Sequence, residues 1–577
     1  MRIINEFLAG KIKPDTVLLV ELFVILSMVL YWPVVSFQYI YYDDPGWIFG
    51  NPIVMGGLSW KSLHWAMTGL VNDTWCPLTN LSFILECQFF GVRPAVSHLV
   101  SFLLHLANVL LLFRFMLLLI GKNWRAVLVT LLFAIHPMNV QAVASVAERK
   151  GVLSTLFLLL MLLSYLKYVK APSRKGYWRV FIWYALSLAA KPSVLTVPLA
   201  LLLLDVWPLA RFNGGRKAFK RVLLEKVPLL TLALADGVVE YLGQRNSGGI
   251  ASFSFMTNVQ TTVIGLARYV ANLVYPIDLN ICYFHPVNYY TGSWPEFLVF
   301  ISACLLVAIS LISWLMWRRE KGFVVCWVIF LVLMAPVIQF IPAGHIYMAD
   351  RYVYVPYIWL FIMVASGLGL FIRGPASRVS VTLGAIVGVA LLMCVSARQL
   401  ATWKNTVTVF SRSVAVDPNN PLAHMNLAVG YSLDKDYKQA IENVTAAREL
   451  DPHGFMEDKI AAESCLRAGE PVKAVRYYQS ACDICQSPDN ITSLAWLLST
   501  NPKVRNPEEA LRLARQALAI EPSAANLDLF ATTLAACGKF EQAVQIENRA
   551  LSEEDSSLML VISIIWRRAG FALTLRK

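Results

Sequence analysis

Charge is what this sequence has least of. Charged residues make up 15% of its 577 residues, against about 25% in a typical soluble domain. That excludes a chain that is soluble and globular over its whole length. The shortage is also uneven. To about residue 400, long apolar runs are broken by short basic clusters; from about Asn405 the chain reads as an ordinary soluble helical sequence rich in Ala, Glu, Lys and Asp. The ten cysteines show no framework spacing. Cys482 and Cys485 form a lone CxxC, which on a helix more often marks buried small residues than a metal pair. Cys76 and Cys87 lie in one loop, where a pairing stays open. No strand runs into a glycine-rich phosphate loop, so the sequence shows no nucleotide-binding signature of that kind. The first apolar segment, Thr16 to Phe37, is longer than a signal-peptide core and has no small-residue cleavage site, and is expected to be a retained span. The net charge of +13, from 50 Lys and Arg against 37 Asp and Glu, sits mostly in short loops between apolar segments. Membrane topology accounts for it there, and no nucleic-acid partner is expected.

A spanning helix needs about 20 mostly apolar residues. Eleven segments are candidates: 16–37, 96–120, 124–142, 151–170, 177–190, 193–210, 223–243, 293–316, 322–341, 352–372 and 379–399. Basic residues cluster in alternate loops: Arg2, Lys11 and Lys13; Lys122 and Arg125; Lys167 to Arg179; Arg211 to Lys226; Arg318, Arg319 and Lys321; Arg373 and Arg378. Read as cytoplasmic, these clusters place the N-terminus inside and the region after residue 400 outside. The condition is that segment 259–276, with Arg268, Asn272 and Pro276, lies on the outer face rather than crossing. Two large outer segments follow, 38–95 and 244–292.

The last third repeats itself. Ala440, Ala474, Ala510 and Ala543 are separated by 34, 36 and 33 residues, and each has another Ala seven residues on, at 447, 481, 517 and 550. A period of 34 is that of tetratricopeptide repeats. Small residues are needed where paired helices approach closely, and Pro452, Pro488 and Pro522 punctuate the units because proline cannot continue a helix. About four units suffice to bury a continuous core and curve into a groove; Asn501 to Asn506 reads as an insertion between helices.

Chemistry-bearing residues gather in the outer segments. Asp43 and Asp44 follow the first span directly. Glu148-Arg149-Lys150 precedes a span, Lys191 stands between two, and Asp350-Arg351-Tyr352 precedes another. Cations on an outer loop run against the positive-inside trend and suggest local use. Cations near the bilayer surface suit a lipid phosphate, and a carboxylate opposite them suits proton abstraction. Each has a bland alternative: solvated acids for Asp43 and Asp44, a snorkelling cluster for Glu148 to Lys150, an internal ion pair for Asp350 and Arg351, and a structural role for His136.

Several blocks resemble the GT-C glycosyltransferase superfamily, and most closely the transmembrane and tetratricopeptide-repeat (TMTC-type) protein O-mannosyltransferases and their bacterial relatives. These blocks are Tyr42-Asp43-Asp44 followed by Asn51-Pro52, Pro77 to Phe83, His98 to His105 with Asn108, His136-Pro137, Glu148 to Ser154, Lys191-Pro192 and Met348 to Pro356. With the repeats, the resemblance covers nearly the whole chain. It implies an all-α protein with a polytopic GT-C-type membrane domain over 1–400, a linker over 401–420 and a tetratricopeptide-repeat α-solenoid over 421–577. It also implies that Asp43 and Asp44 carry catalysis. One departure stands out: Trp75-Cys76 replaces the Tyr-Arg that often precedes the Pro-Leu-Thr block, removing an expected cation.

The expected chemistry follows. Nucleotide sugars are cytoplasmic, so an outward-facing site needs a sugar, mannose or another hexose, carried across on a polyprenyl or dolichyl phosphate. The acceptor is a Ser or Thr hydroxyl of a polypeptide held near the repeats. One of Asp43 and Asp44 takes the hydroxyl proton, while Arg149, Lys150, Lys191 and Arg351 stabilise the departing phosphate. Glu148, Asp350, Tyr352 and His136 support them. A single displacement inverts the anomeric centre. No cofactor is required, and a divalent cation on the two carboxylates stays open. The Glu148 to Ser154 block resembles the bacterial relatives most, which points to a bacterial inner membrane with the repeats in the periplasm. Three rivals remain: a catalytically inactive membrane scaffold for envelope assembly, a transporter, and transfer to a glycan or lipid.

Overall fold

The computed structural model describes residues 14–121, 124–246, 254–284, 294–338, 340, 346–451 and 455–553. Arg2, Lys11, Lys13, Lys122 and Pro452, used above for topology and punctuation, lie outside them. The described residues are almost wholly helical, with one short antiparallel ribbon pairing Tyr283–Phe284 with Ile346–Met348. The chain divides into two units, Met1–Val416 and Asp417–Lys577.

Among the described residues of the first unit, five helices are long and apolar enough to cross a bilayer: Thr16–Ser36, Pro94–Leu119, Val146–Lys170, Glu296–Arg318 and Pro375–Ala401. A sixth would be the pair Trp124–Ile135 and Pro137–Ala144, bent by 51° where Pro137 interrupts the hydrogen-bond ladder. The remaining expected spans fall on other helices. Lys321–Met334 and Tyr357–Leu370 have 14 residues each, about 21 Å at 1.5 Å per residue against a hydrocarbon core of about 30 Å. Gly215–Asn246 is long enough at 32 residues but carries Pro228 inside it, with Glu225, Asp236 and Glu240 along its length. Eleven is therefore not the count that helix length and composition give. Phe255–Asn272, expected on the outer face, is a helix with Thr257, Thr261, Tyr269 and Asn272 buried and Phe255 and Met256 exposed.

Several charges on these helices are paired, which lowers the cost of removing them from water. Asp205 accepts from Lys226 Nζ at 2.7 Å and from Tyr165 Oη at 2.6 Å. Arg211 reaches both Asp205 and Glu225. The network staples Arg149–Lys170, Val197–Val206 and Gly215–Asn246 together.

Residues 401–420 do not form a linker. They contain the helix Thr406–Val416, which belongs to the first unit. Thr406 Oγ1 accepts from Tyr41 N at 3.0 Å, Phe410 stacks edge-on against Tyr42, and Arg412 donates to Ile277 O at 2.7 Å. The break falls after Val416 because the apolar face of this helix is already buried there.

The described residues of the second unit form four helical hairpins: Pro421–Leu433 with Tyr437–Leu450, Phe455–Arg467 with Pro471–Ile484, Pro488–Thr500 with Pro507–Ile520, and Ala524–Ala536 with Phe540–Glu553. Ala440, Ala474, Ala510 and Ala543, and their partners at 447, 481, 517 and 550, are all fully buried. The repeat read from the sequence is thus the set of positions where helices touch most closely. Asn420, Asp436, Ser487, Asn506 and Ser523 cap helices with side-chain acceptors, satisfying N–H groups that the helix cannot. Pro488 opens a helix rather than closing one, where its missing N–H costs nothing.

Candidate active site

The two adjacent carboxylates behave differently. Asp44 is buried. Its Oδ2 accepts from Ile40 N at 2.8 Å and its Oδ1 from Ala147 N at 2.9 Å. Burial pushes this carboxyl up to about 7, against the two backbone hydrogen bonds. With both oxygens engaged, Asp44 joins the first outer segment to the residues leading into Val146–Lys170. Asp43 is half-buried and accepts one hydrogen bond, from Asn72 Nδ2 at 3.2 Å. Asn72 and Asp73 both sit in the left-handed region, at φ 47° and 61°, in a tight turn closed by Val71 and Thr74. Gly46 packs beside them: a Cβ there would lie 3.0 Å from Asn72 Oδ1, which would have to shift slightly.

Opposite stands a cluster of cations around one carboxylate. Glu148 is 1% exposed. Lys191 Nζ lies 2.8 Å from its Oε2, while Arg351 Nε at 3.1 Å and Lys150 Nζ at 3.4 Å approach Oε1. Three positive charges against one negative leave two uncompensated at this point, and Asp43 is within electrostatic reach of Lys150 and Arg351. Three separate elements deliver the cations. Lys150 stands at the start of a long helix, over the Trp47 ring at 4.8 Å. Lys191 ends Arg174–Ala190 in extended backbone. Arg351 lies in the turn Asp350–Val353, held by Gln141 Oε1 accepting from its backbone N at 2.9 Å, and covers the Tyr352 ring at 5.3 Å. Burial pushes the Lys191 ammonium down, against the pull of Glu148.

Two of the cations border a small cavity of about 30 Å³. Lys191, Arg351, Tyr352 and Thr155 line it together with Leu333 and Val355. Leu333 and Val355 also border a wholly apolar cavity among Leu158, Leu162, Leu201 and Trp359. Lys191 and Arg351 thus stand beside apolar side chains, a setting compatible with the anionic head of an amphiphile.

Three expected residues are placed elsewhere. Arg149 does not join the cations. It is fully buried, 2.6 Å from Glu86 Oε2, donates to Ser97 O at 3.0 Å and lies over the Phe83 ring at 4.1 Å. It is the helical phase that separates it from Glu148 and Lys150: one residue on, the side chain turns about 100°. His136 is buried as a helix cap. Its Nδ1 accepts from Met138 N at 3.3 Å, and its Nε2 is 3.1 Å from Leu273 O. Asp350 does not pair with its neighbour Arg351 but accepts from Tyr283 Oη at 2.7 Å; burial pushes its carboxyl up to about 7. Glu148 and Tyr352 do stand at the cluster.

Asn72, Gln141 and Glu86 were not singled out from the sequence. Glu86 had a readable signal, a carboxylate in an apolar helix; Asn72 and Gln141 had none. Cys76 and Cys87 are both free. Cys76, where an arginine was expected, is packed with Trp47, Phe83 and Val146, and the three-cation cluster forms without it. Among the described residues no group of three or more His, Cys, Asp or Glu could hold a metal ion.

The Arg149–Glu86 pair gives a first prediction. Arg149→Met leaves Glu86 charged and buried, and breaking such a pair costs about 3–5 kcal/mol. The single variant should lose abundance in membranes, and Glu86→Gln in the same chain should restore it. Full abundance of the single variant would instead show that the pair does not hold this part of the fold.

No family model matches the chain. Its curated relatives are TMTC-family protein O-mannosyl-transferases. One from Caenorhabditis elegans is 23% identical over 458 residues, 74% of this chain and 62% of that protein. Mouse TMTC2 is 32% identical over 173 residues, 28% of this chain and 20% of that protein. Human TMTC4 is 24% identical over 418 residues, 62% of this chain and 55% of that protein. The chain spans less than two thirds of the length of these relatives. Among solved structures, the tetratricopeptide-repeat protein YrrB aligns with 31% of this chain and 89% of its own at 16% identity and a TM-score of 0.25.

Proposed function

We propose that this chain is a membrane glycosyltransferase that moves a hexose, mannose by its relatives' names, from a polyprenyl or dolichyl phosphate to Ser or Thr hydroxyls of extracytoplasmic polypeptides. The observation that carries the reading is the cluster of Lys150, Lys191 and Arg351 on one buried carboxylate, with Asp43 within electrostatic reach of Lys150 and Arg351 and apolar side chains beside Lys191 and Arg351. The acceptor oxygen attacks C1 of the sugar, Asp43 takes the hydroxyl proton, and the C1–O bond to phosphate breaks with both electrons going to that oxygen. The donor head carries one negative charge before the step and two after it. Cations held in place by Glu148 meet that rise without reorganising. One displacement inverts C1, and no metal is needed to neutralise the leaving group. The repeat unit would receive the acceptor polypeptide. A bacterial inner membrane, with the repeats periplasmic, is the setting in which these parts fit.

The test is donor dependence. The full chain in proteoliposomes, given an acceptor peptide rich in Ser and Thr, should transfer mannose from polyprenyl phosphate mannose and not from a nucleotide sugar. Transfer from the nucleotide sugar alone would overturn the donor assignment, and transfer from neither would favour the scaffold reading.

A further inference from the structure

The first outer segment carries a fixed apolar face that the transfer reaction does not use. Met55 ends the helix Pro52–Met55, Trp60 begins the helix Trp60–Thr68 with Leu58 between them, and Phe89 and Phe90 end the helix Pro77–Phe90. All five are exposed, Trp60 at 88% and Phe89 at 73%. Two features join them into one surface. Gln88 Oε1 accepts from Leu58 N at 2.8 Å, and Gly57 (φ +71°) approaches so closely that a Cβ there would lie 2.5 Å from the same oxygen. The Phe89 and Phe90 rings are 6.5 Å apart. Ser59 and Ser62 form a capping box that fixes the start of the next helix, where Trp60 is the first residue. The face is therefore held by a side-chain hydrogen bond and a helix cap, and its exposure is not a consequence of a loose loop.

What covers it follows from the chain's own continuity. Gly91 (φ +69°) reverses the chain after Phe90, and the candidate span Pro94–Leu119 begins four residues on. Four residues reach at most about 14 Å. That span has 26 residues, about 39 Å of helix for a hydrocarbon core of about 30 Å, so its ends lie in the headgroup layer. Phe89 and Phe90 are thus tethered within the interfacial zone of that leaflet, where aromatic side chains are favoured. Lys61 and Arg93 flank the face, both exposed, with no ion pair recorded among the described residues; lipid phosphates complement them.

We propose that Met55, Leu58, Trp60, Phe89 and Phe90 form a foot embedded in the lipid interface of the leaflet at which Pro94 begins. The foot sets the depth of the Asp43 turn relative to the bilayer, and its partner is the lipid surface itself. It does not depend on the identity of the donor or acceptor.

The experiment uses the full chain in phosphatidylcholine proteoliposomes. The Trp60 contribution to fluorescence is the difference between wild type and Trp60→Phe, a change that an 88% exposed side chain should tolerate. Lipid brominated near the headgroup end of its chains should quench most of that contribution, and aqueous iodide should leave it. A second reporter, Phe89→Trp in the Trp60→Phe chain, should respond in the same way. Quenching by iodide and not by bromolipid would show the face open to water. Quenching by neither would show it covered by protein. Either result overturns the proposal, whatever the sugar-transfer assay gives.

Discussion

Asp43→Asn should lower sugar transfer by about 10²–10⁴-fold, the range that a positioned general base contributes, with the protein still present at wild-type abundance. Asp44→Asn should act on abundance first. The difference lies in what each carboxylate already holds. Both Asp44 oxygens accept backbone N–H groups, from Ile40 and Ala147, and an amide would turn its NH2 toward one of these donors. A buried donor left without an acceptor costs about 1–3 kcal/mol, and here it would also loosen the join between the Asp43 turn and the Glu148 helix. Asp43 accepts one bond, from Asn72 on a half-exposed turn, so its amide is accommodated and only proton acceptance is lost. Intact-mass analysis of extracytoplasmic proteins, with immunoblots of the enzyme itself, separates the two effects. Full transfer by Asp43→Asn together with its loss in a well-folded Asp44→Asn would move the base to Asp44. Transfer unchanged in both would remove these carboxylates from the chemistry.

The two-part architecture was legible because it depends on patterns that survive local error. Apolar runs and a 34-residue period average over many residues, and the alanines at 440, 474, 510 and 543 proved to be buried positions of paired helices. Helix length along the expected spans was not legible. Lys321–Met334 and Tyr357–Leu370 look like longer spans as text, but their apolar flanks turn out of the helix. In the site, Glu148, Lys150, Lys191 and Arg351 could be named from their position on loops expected to face outward. That they converge on one carboxylate could not, since Arg351 lies some 200 positions from Glu148 in sequence. The same lack of phase information placed Arg149 with Lys150. Neighbours in sequence point to different faces of a helix, and only the partner Glu86, a buried carboxylate on another helix, shows which face Arg149 takes. Asp43 and Asp44 likewise read as a pair and are divided by their surroundings into a backbone anchor and an available acceptor.

Lys191→Met and Arg351→Met should each lower the turnover rate by about 10²–10³-fold, the loss seen when one fixed donor to a developing negative charge is removed. The donor's KM should move far less. A sugar phosphodiester bears one negative charge when bound and two as the lipid phosphate departs, so a cation is worth most late in the step. The double variant should fall short of the product of the singles, because Lys191 and Arg351 share Glu148 and groups on one ion-pair network do not act independently. Glu148→Gln is the informative companion. It removes the negative charge that holds three cations within 3.4 Å, leaving them to repel one another. The cluster should open, with loss of abundance or of turnover although a positive charge has in effect been added. Steady-state kinetics with polyprenyl phosphate mannose at matched enzyme levels reads all of these. If Lys191→Met and Arg351→Met raise KM and spare turnover, the cations anchor the donor in its ground state. Stabilisation of the leaving phosphate would then have to come from elsewhere, with Lys150, the remaining cation on Glu148, as the next residue to change.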